Sequence, residues 1–526
     1  MSSDQRIVVV TGGGAGIGAG VAEELGRQGA FVVTLDPLLT LDGSAQEQAP
    51  APENTTAGRI VAGGGAARAV PVSVTDAGAV RDVFAQLVDE FGRLDAVVNV
   101  AGISRPTNFA SGSDDDWRAV LSVHVDGYLN VLRAALPIMA DAGRGQILGV
   151  TSGGGWRPMD AGAYGCAKRA VAALTWQVGL RAPDGVVVNA MSPIAVTRMV
   201  TAALERAGRG GGAAANAAGP LFGSMPKPED IGPIGAYLVG DQFTWSSGEI
   251  VFAGGAEVAI VERPRLLEVV RTGDVKSLPH VLDATTKSWI AAEASQLSGG
   301  GSNPRFATVF DEPEGELAVA AVATCCVMSD DLQMVGALKR AVEARGVTVV
   351  TRSPEGIPPD VDAVIVTSGA FGVAPSGDGD WQHIVGSHDG IVEELFADGR
   401  LARTVCEYAA AADRSVRLVT LTAATTPAGR TRAQAVAQHA RSSRQSTRER
   451  VTAFGVSVES DALDDAAALA AHLVAHPDAP ALSGAELAVG DGWVGLRSHP
   501  RPNTSVSYGG PAVPAWLDGV LRDAVR

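Results

Sequence analysis

The sequence predicts an α/β protein built of two doubly wound parallel-sheet domains in tandem. Three observations carry this expectation. The chain has 526 residues, more than one hydrophobic core usually serves. Continuous apolar runs of strand length alternate with amphipathic helical stretches, the pattern of a parallel sheet covered on both faces. The layout that begins at Arg6 also begins again from Glu316.

Composition narrows the class further. Hydrophobic residues make up 46% and charged residues 19% of the chain, which suits a well-buried globular protein and argues against disorder. A formal charge of −16 argues against nucleic-acid or anionic-membrane partners. The opening "MSSDQRIVVVTGG" has no basic leader followed by a long apolar segment, so neither a signal peptide nor a membrane anchor is expected. The four cysteines, Cys166, Cys325, Cys326 and Cys406, lack metal-ligand spacing. Adjacent Cys325 and Cys326, inside an apolar run, read as buried thiols; a reducing cytoplasm is the expected location, and no metal is expected.

The first segment, "RIVVVTGGGAGIGAGVAEELGRQGAFVVTLD", reads strand, glycine turn, helix, strand. Gly12, Gly16 and Gly18 follow the strand in the spacing TGxxxGxG. Glycines there let the backbone approach a pyrophosphate, and the helix N-terminus beyond offers free N–H groups to the anion. Asp36 ends the second strand, with no Arg or Lys close behind it. A carboxylate there accepts from an adenosine ribose and repels a 2′-phosphate, which favours NAD over NADP. Residues 37–58 read as a surface insertion. "RLDAVVNVAGIS" gives another buried strand ending in Asn99, Ala101 and Gly102, small enough for a cofactor to pack closely. Ser113 and the acidic residues after it suit a helix start. "GQILGVTSGGG" is a strand with hydroxyls at its end, and "AYGCAK" opens the next helix with Tyr164 and Lys168 one turn apart. An ammonium one turn from a phenol favours the phenolate.

In this order, TGGGAGIG, NVAG, a strand-end serine, YxxxK and "NAMSPIAVTRM" resemble the short-chain dehydrogenase/reductase family from about Arg6 to Gly255. The resemblance implies a Rossmann-like fold in which Tyr164 shuttles a proton while hydride moves between substrate carbon and nicotinamide. It makes Lys168 the partner of Tyr164 and of the cofactor ribose, and Ser152 the residue that orients the substrate oxygen. Ser152 stands twelve residues before Tyr164, whereas the family spacing of thirteen falls on Thr151, so either hydroxyl fits. His124 stands where the family commonly carries an asparagine, as a relay with a pH-sensitive step or as packing. Pro193, Ile194, Val196 and Thr197 match the nicotinamide-side loop, with Ile17 and Val74 completing the expected cofactor contacts. The family's adenine-contacting aspartate is here Ser73. The Ala/Gly-rich segment Val200–Pro226 resembles a mobile lid, and Trp156, Met159 and Met199 are expected to flank the pocket. The insertion after Asp36, the "VHVDG" helix and the tail after Gly255 resemble the branch containing (3R)-hydroxyacyl-CoA dehydrogenases and enzymes of steroid alcohols.

The second half reads as a worn copy. Gly12, Gly16 and Gly18 correspond to Ser329, Gln333 and Val335, past whose side chains a pyrophosphate does not fit. "DWQHIVGSHDG" repeats "DWRAVLSVHVDG", with Trp381 and His388 at the spacing of Trp117 and His124. Ala423 falls near the Ser152 position, and Ala435 and His439 near those of Tyr164 and Lys168. The expected organisation is therefore a catalytic NAD-binding domain over 1–256, a linker over 257–305 with "SQLSGGGSNP" its most flexible stretch, and a degenerate domain over 306–526. Because the family pairs through the helices bearing the His124 and Tyr164 motifs, the second half is expected to pack on them as a pseudo-dimer, or else to bind a nucleotide or acyl carrier. Pairing of whole chains is left open. The leading function is NAD-dependent interconversion of a secondary alcohol and a ketone on an apolar, acyl-CoA- or steroid-like small molecule. The alternatives are a non-redox lyase or epimerase with bound NAD, and a dinucleotide-sensing binding protein.

Overall fold

A computed structural model of the chain describes residues 5–46, 50–109, 112–202, 225–286, 289, 307–311, 315–351, 356–377, 379–510 and 512–525. The expected lid over 200–226 and flexible stretch over 295–304 lie largely or wholly outside the described residues.

The first half alternates strand and helix. Ile7–Thr11 (β1) is buried throughout, as its unbroken apolar run requires, and the glycine turn leads into Gly16–Arg27 (α1). Then come Phe31–Leu35 (β2), Thr56–Ala62 (α2), Ala66–Val70 (β3), Ala77–Phe91 (α3) and Ala96–Asn99 (β4). Asp114–Leu121 (α4) starts at Ser113, whose hydroxyl accepts from the Asp116 N–H, the cap the sequence predicts. A π-helical turn, Ser122–Asp126, leads into Gly127–Ala142 (α5). Gly145–Val150 (β5), Gly162–Leu180 (α6), Val186–Pro193 (β6), Gly232–Leu238 (α7), Ile250–Ala253 (β7) and Glu257–Glu262 (β8) follow.

The second half comprises Leu266–Arg271 (β9), Leu278–Thr285 (α8), Thr324–Met328 (β10), Leu332–Glu343 (α9), Thr348–Thr351 (β11), Ala363–Ser368 (β12), Trp381–Ser387 (α10), Ile391–Ala411 (α11) and Val416–Ala423 (β13). It continues through Pro427–Ser446 (α12), Val451–Val458 (β14), Leu463–Ala475 (α13), Glu486–Gly490 (β15), Trp493–Arg497 (β16), Arg501–Ser507 (β17) and Leu517–Val525 (α14).

Two sheets result. The first runs β17-β8-β7-β6-β5-β4-β1-β2-β3 and the second β11-β10-β12-β13-β14-β15-β16-β9. Strands β1 to β7 pair in parallel, as do β10 to β15. The parallel part of the second sheet has the strand order of the first, without a counterpart of β3.

The ends of the two sheets correct the expected linker. Residues 257–305 do not simply connect two finished domains. Strand β8 pairs antiparallel with β7 in the first sheet, whereas β9 crosses over and pairs antiparallel with β16 in the second. The chain's end does the reverse: β17 leaves the second half and pairs antiparallel with β8. The helices that follow are exchanged too. Val281 and Leu282 of α8 pack in the second half's core, and Leu517 and Leu521 of α14 in the first half's. Each sheet is thus finished by a strand from the other half, which covers an edge that would otherwise expose unpaired backbone groups.

Helices α6 and α12 pack side by side between the sheets, and one apolar cluster runs through both halves, from Ile7 and Phe109 to Val364 and Leu395. Gly399 lets α11 approach Trp117 closely, since a Cβ there would lie 2.3 Å from the indole. Arg169, 0% exposed, donates to Glu486 at 2.6 Å and to Gln434 at 2.9 Å across this boundary. Gln438 donates to the carbonyls of Gly154 and Arg157, both at 3.0 Å. His439 does not occupy a second copy of the lysine site: it stacks on Trp117 and meets Phe109 edge-on.

Candidate active site

The expected site residues gather at the carboxyl ends of β1, β2, β4, β5 and β6, where a doubly wound sheet presents its loops. Gly12 has φ of +63°, and a Cβ on it would lie 2.7 Å from the Ala101 backbone. A Cβ on Gly18 would fall 2.2 Å from the Gly12 carbonyl oxygen. Both positions require glycine for that close approach. Ala15 precedes α1 without a side-chain cap, so the first N–H groups of the helix remain free to face an anion. A dinucleotide's pyrophosphate fits this turn. Ile17 packs partly buried behind it.

Asp36 accepts the Gly14 N–H at 2.8 Å and the Leu38 N–H at 2.7 Å. Its carboxylate is held at the edge of the glycine turn, the place expected for a ribose acceptor. The insertion after it is not a free surface loop. Leu41 accepts the Ser104 N–H at 2.9 Å, and Arg105 donates to the Asp42 carbonyl at 2.6 Å, so the insertion docks on the loop after β4.

Asn99 accepts the Thr11 hydroxyl at 2.7 Å, which ties the ends of β4 and β1 together, and the Ala101 backbone lies against Gly12 of the turn. Val74 is buried, and its carbonyl accepts from Asn130 at 2.9 Å. Ser73 turns to Thr75 instead. Beyond β6, Ile194 donates its N–H to the Ala253 carbonyl and Val196 donates to that of Pro226. These bonds hold the loop after Pro193 so that Thr197 stands across from Gly16, whose Cβ would be 3.9 Å from the Thr197 methyl.

Ser152 and Tyr164 come together. The Ser152 hydroxyl accepts the Gly154 N–H at 3.2 Å, and a Cβ on Gly154 would lie 3.6 Å from that hydroxyl and 3.4 Å from the Tyr164 ring, so the two side chains flank the same glycine. Thr151 points the other way, donating to the Lys168 carbonyl at 2.6 Å. One loop residue fewer is therefore taken up between Ser152 and α6, not by substituting the threonine. Lys168 is 4% exposed; its ammonium lies 5.7 Å from the Tyr164 ring centre and donates to the Val150 carbonyl at 2.7 Å.

The electrostatics differ from the sequence expectation. Burial raises the Tyr164 phenol, and the Ser152 hydroxyl only partly offsets this. Burial lowers Lys168 to about 7. The ammonium does not dominate the phenol, because desolvation acts on both groups.

His124 lies at the π-helical turn, with its Nε2–H donating to the Ile103 carbonyl at 3.0 Å. A Cβ on Gly102 would be 2.4 Å from the imidazole, so that glycine makes room for it. The ring meets Tyr164 edge-on at 5.4 Å, and Nδ1 is buried without a partner. Burial, then Lys168, lowers its pKa to about 3, so the pH-sensitive step near neutrality expected of a relay histidine is not available. Trp156 is also relocated. It packs in a small core cluster with Trp176 instead of flanking the pocket, while Met159 is exposed and its carbonyl accepts from Ser442 of the second half.

Among the described residues, no group of His, Cys, Asp and Glu side chains is placed to hold a metal ion, and no helix is long and apolar enough to cross a membrane.

Comparison with known proteins agrees with this geometry. The short chain dehydrogenase family matches residues 6–208. The short-chain reductase protein NovJ of Streptomyces niveus is 32% identical over 257 residues, 48% of this chain and 94% of that protein. The peroxisomal hydratase-dehydrogenase-epimerase of Neurospora crassa is 29% identical over 309 residues, 58% of this chain but 31% of that longer protein. The NADP-bound N-domain of a bacterial malonyl-CoA reductase is 17% identical, with a TM-score of 0.62 over 89% of this chain and 95% of that one, which shows a shared fold across both halves. With the glycine turn, the strand-end serine and the Tyr–Lys pair gathered at the same end of one sheet, the chain belongs to the short-chain dehydrogenase/reductase family and is an oxidoreductase of CH–OH groups.

Proposed function

We propose that the chain interconverts a secondary alcohol and a ketone with NAD, using Tyr164 as the acid/base group. The observation that carries this reading is that Ser152 and Tyr164 flank Gly154 with the Lys168 ammonium 5.7 Å from the Tyr164 ring, at the same sheet end as a glycine turn with an uncapped helix. A bound nicotinamide would accept or supply the hydride. Tyr164 takes the hydroxyl proton of the alcohol, or returns it to the ketone oxygen, at its phenolic oxygen. Ser152 donates to the same substrate oxygen and fixes its distance from Tyr164. Lys168 supplies positive charge that favours the phenolate as the proton moves. Gly12, Gly16 and Gly18 with the α1 N-terminus would hold the pyrophosphate, and Asp36 the adenosine ribose, which supports NAD over NADP.

One dinucleotide per chain is the expected stoichiometry. At the equivalent turn of the second half, Asp331 caps α9, accepting the N–H groups of Gln333 and Met334, both at 3.0 Å. Its carboxylate takes the donors a phosphate would use and repels the anion. The second half therefore reads as a degenerate copy that takes the place of a partner subunit against α4, α5 and α6. The resemblance to the acyl-CoA and steroid branch supports an apolar alcohol as substrate. Four free, buried cysteines support a cytoplasmic location.

Replacing Tyr164 tests the core of the reading. Tyr164→Phe should abolish turnover of alcohols and ketones while NADH still binds, as followed by nicotinamide absorbance and fluorescence. Near-normal rates in that variant refute the assignment.

A further inference from the structure

We infer that Tyr508, the residue just after the strand donated by the second half, is a positioning residue for the nicotinamide-side loop of the first half. This rests on the dinucleotide reading above. The Tyr508 hydroxyl donates to the Gly255 carbonyl at 3.0 Å and its N–H donates to the Ala256 carbonyl at 2.9 Å. Gly255 has φ of +70°, and a Cβ on it would sit 3.0 Å from the Pro226 ring. The Pro226 carbonyl accepts the Val196 N–H at 2.8 Å, and Val196 adjoins Thr197, the residue across from Gly16. Three consecutive contacts thus connect the far end of the chain to the loop that faces the glycine turn.

The matching place in the other sheet lacks this device. There the strand end donated by the first half carries Thr272, whose N–H donates to the Gly492 carbonyl at 2.8 Å and whose hydroxyl turns to Asp465. The two exchanged strands share the backbone bond, and the aromatic hydroxyl occurs on the side that faces the candidate site. A role confined to closing the sheet would be met by the backbone bond alone.

ADP lacks the nicotinamide and its ribose, the part of a dinucleotide that the loop after Pro193 is expected to hold, so ADP and NADH separate positioning from stability. NADH binding by fluorescence titration and ADP binding by calorimetry are measured on the full chain and on Tyr508→Phe. Losing one hydrogen bond that orders the loop should weaken NADH about fivefold, with ADP unchanged within about twofold. Gly255→Ala, which acts on the same junction from the first half, should show the same selective loss. Equal weakening of both ligands, or no change in either in both variants, overturns the inference. A wild-type chain that binds neither ligand instead overturns the dinucleotide reading on which it rests.

Discussion

Lys168 offers a stability measurement that tests the site without any substrate. Its ammonium is 4% exposed and donates to the Val150 carbonyl at 2.7 Å, and burial lowers its pKa from 10.5 to about 7. In the unfolded chain the lysine keeps its ordinary value. Between pH 7 and 10.5 the unfolded state therefore binds more protons, and stability rises with pH across that window. Below pH 7 both states are protonated, and the folded protein carries the full desolvation penalty, about 5 kcal/mol. Lys168→Met removes the titration. It also leaves the Val150 carbonyl without this donor, a pH-independent loss of about 1–3 kcal/mol. The variant should be most favoured relative to wild type at pH 6, and its advantage should shrink steadily toward pH 10. Scanning calorimetry without dinucleotide reads this directly. At roughly 2–4 °C per kcal/mol for a unit of this size, the two melting curves should move relative to one another by about 10 °C between the two pH values. A constant offset, or a variant that gains ground as pH rises, would show that Lys168 is not buried as a destabilised cation.

Three further outcomes are expected. NADP should bind at least about tenfold more weakly than NAD, a difference of about 1.4 kcal/mol, and Asp36→Ala should narrow that ratio; equal affinities in the wild type would remove Asp36 from the selectivity argument. Ser152→Ala should lower kcat by about a hundredfold or more, as loss of one donor to a reacting oxygen does. Thr151→Ser, which keeps its hydroxyl on the Lys168 carbonyl, should stay near wild type in the same steady-state assay. Arg169→Met strands Glu486, 2% exposed, inside the boundary between halves. It should destabilise the chain by about 3–5 kcal/mol in denaturant unfolding, and Glu486→Leu in the same chain should restore much of the loss. Equal stability of the single and double variants would argue against a desolvated pair there.

Much of this architecture could be read from local signals. Ile7–Thr11 and Ala96–Asn99 are buried along their whole length because both faces of a parallel sheet are covered, and that leaves an unbroken apolar run in the sequence. The glycine turn was legible for the same kind of reason, since the clash at Gly18 is with a backbone six residues away. Strand exchange was not legible. Only three residues separate β8 from β9 and β16 from β17, and nothing in them says whether the next strand turns back or crosses to the other sheet. That choice depends on which edge is open in three dimensions. The fates of His124 and Trp156 were also set by distant neighbours: a missing Cβ at Gly102 in one case, and Trp176 in the other. The Asp331 cap is of a kind that sequence can show, since Ser-Asp-Asp before a helix is an N-cap signature, but the expectation for this turn rested on the side chains of Ser329, Gln333 and Val335.

On the proposed reading, in which only the first half binds a dinucleotide, the exchange explains how the second half is retained. In a pair of identical subunits, every substitution in a glycine turn strikes both sites at once. In one chain the turns change independently, while linkage keeps the two halves at high effective concentration whatever their separate affinity. The constraints left on the second half are then those of burial. Gly399 must stay small for Trp117, Glu486 must answer Arg169, and β17 must carry its backbone bonds to β8. None of these requires a phosphate-binding turn, and Asp331 satisfies the helix it caps better than a vacant glycine turn would. On that reading, a half relieved of cofactor binding but bound into the other's sheet can diverge toward support of that neighbour, and the place inferred for it is Tyr508, whose hydroxyl donates to the Gly255 carbonyl.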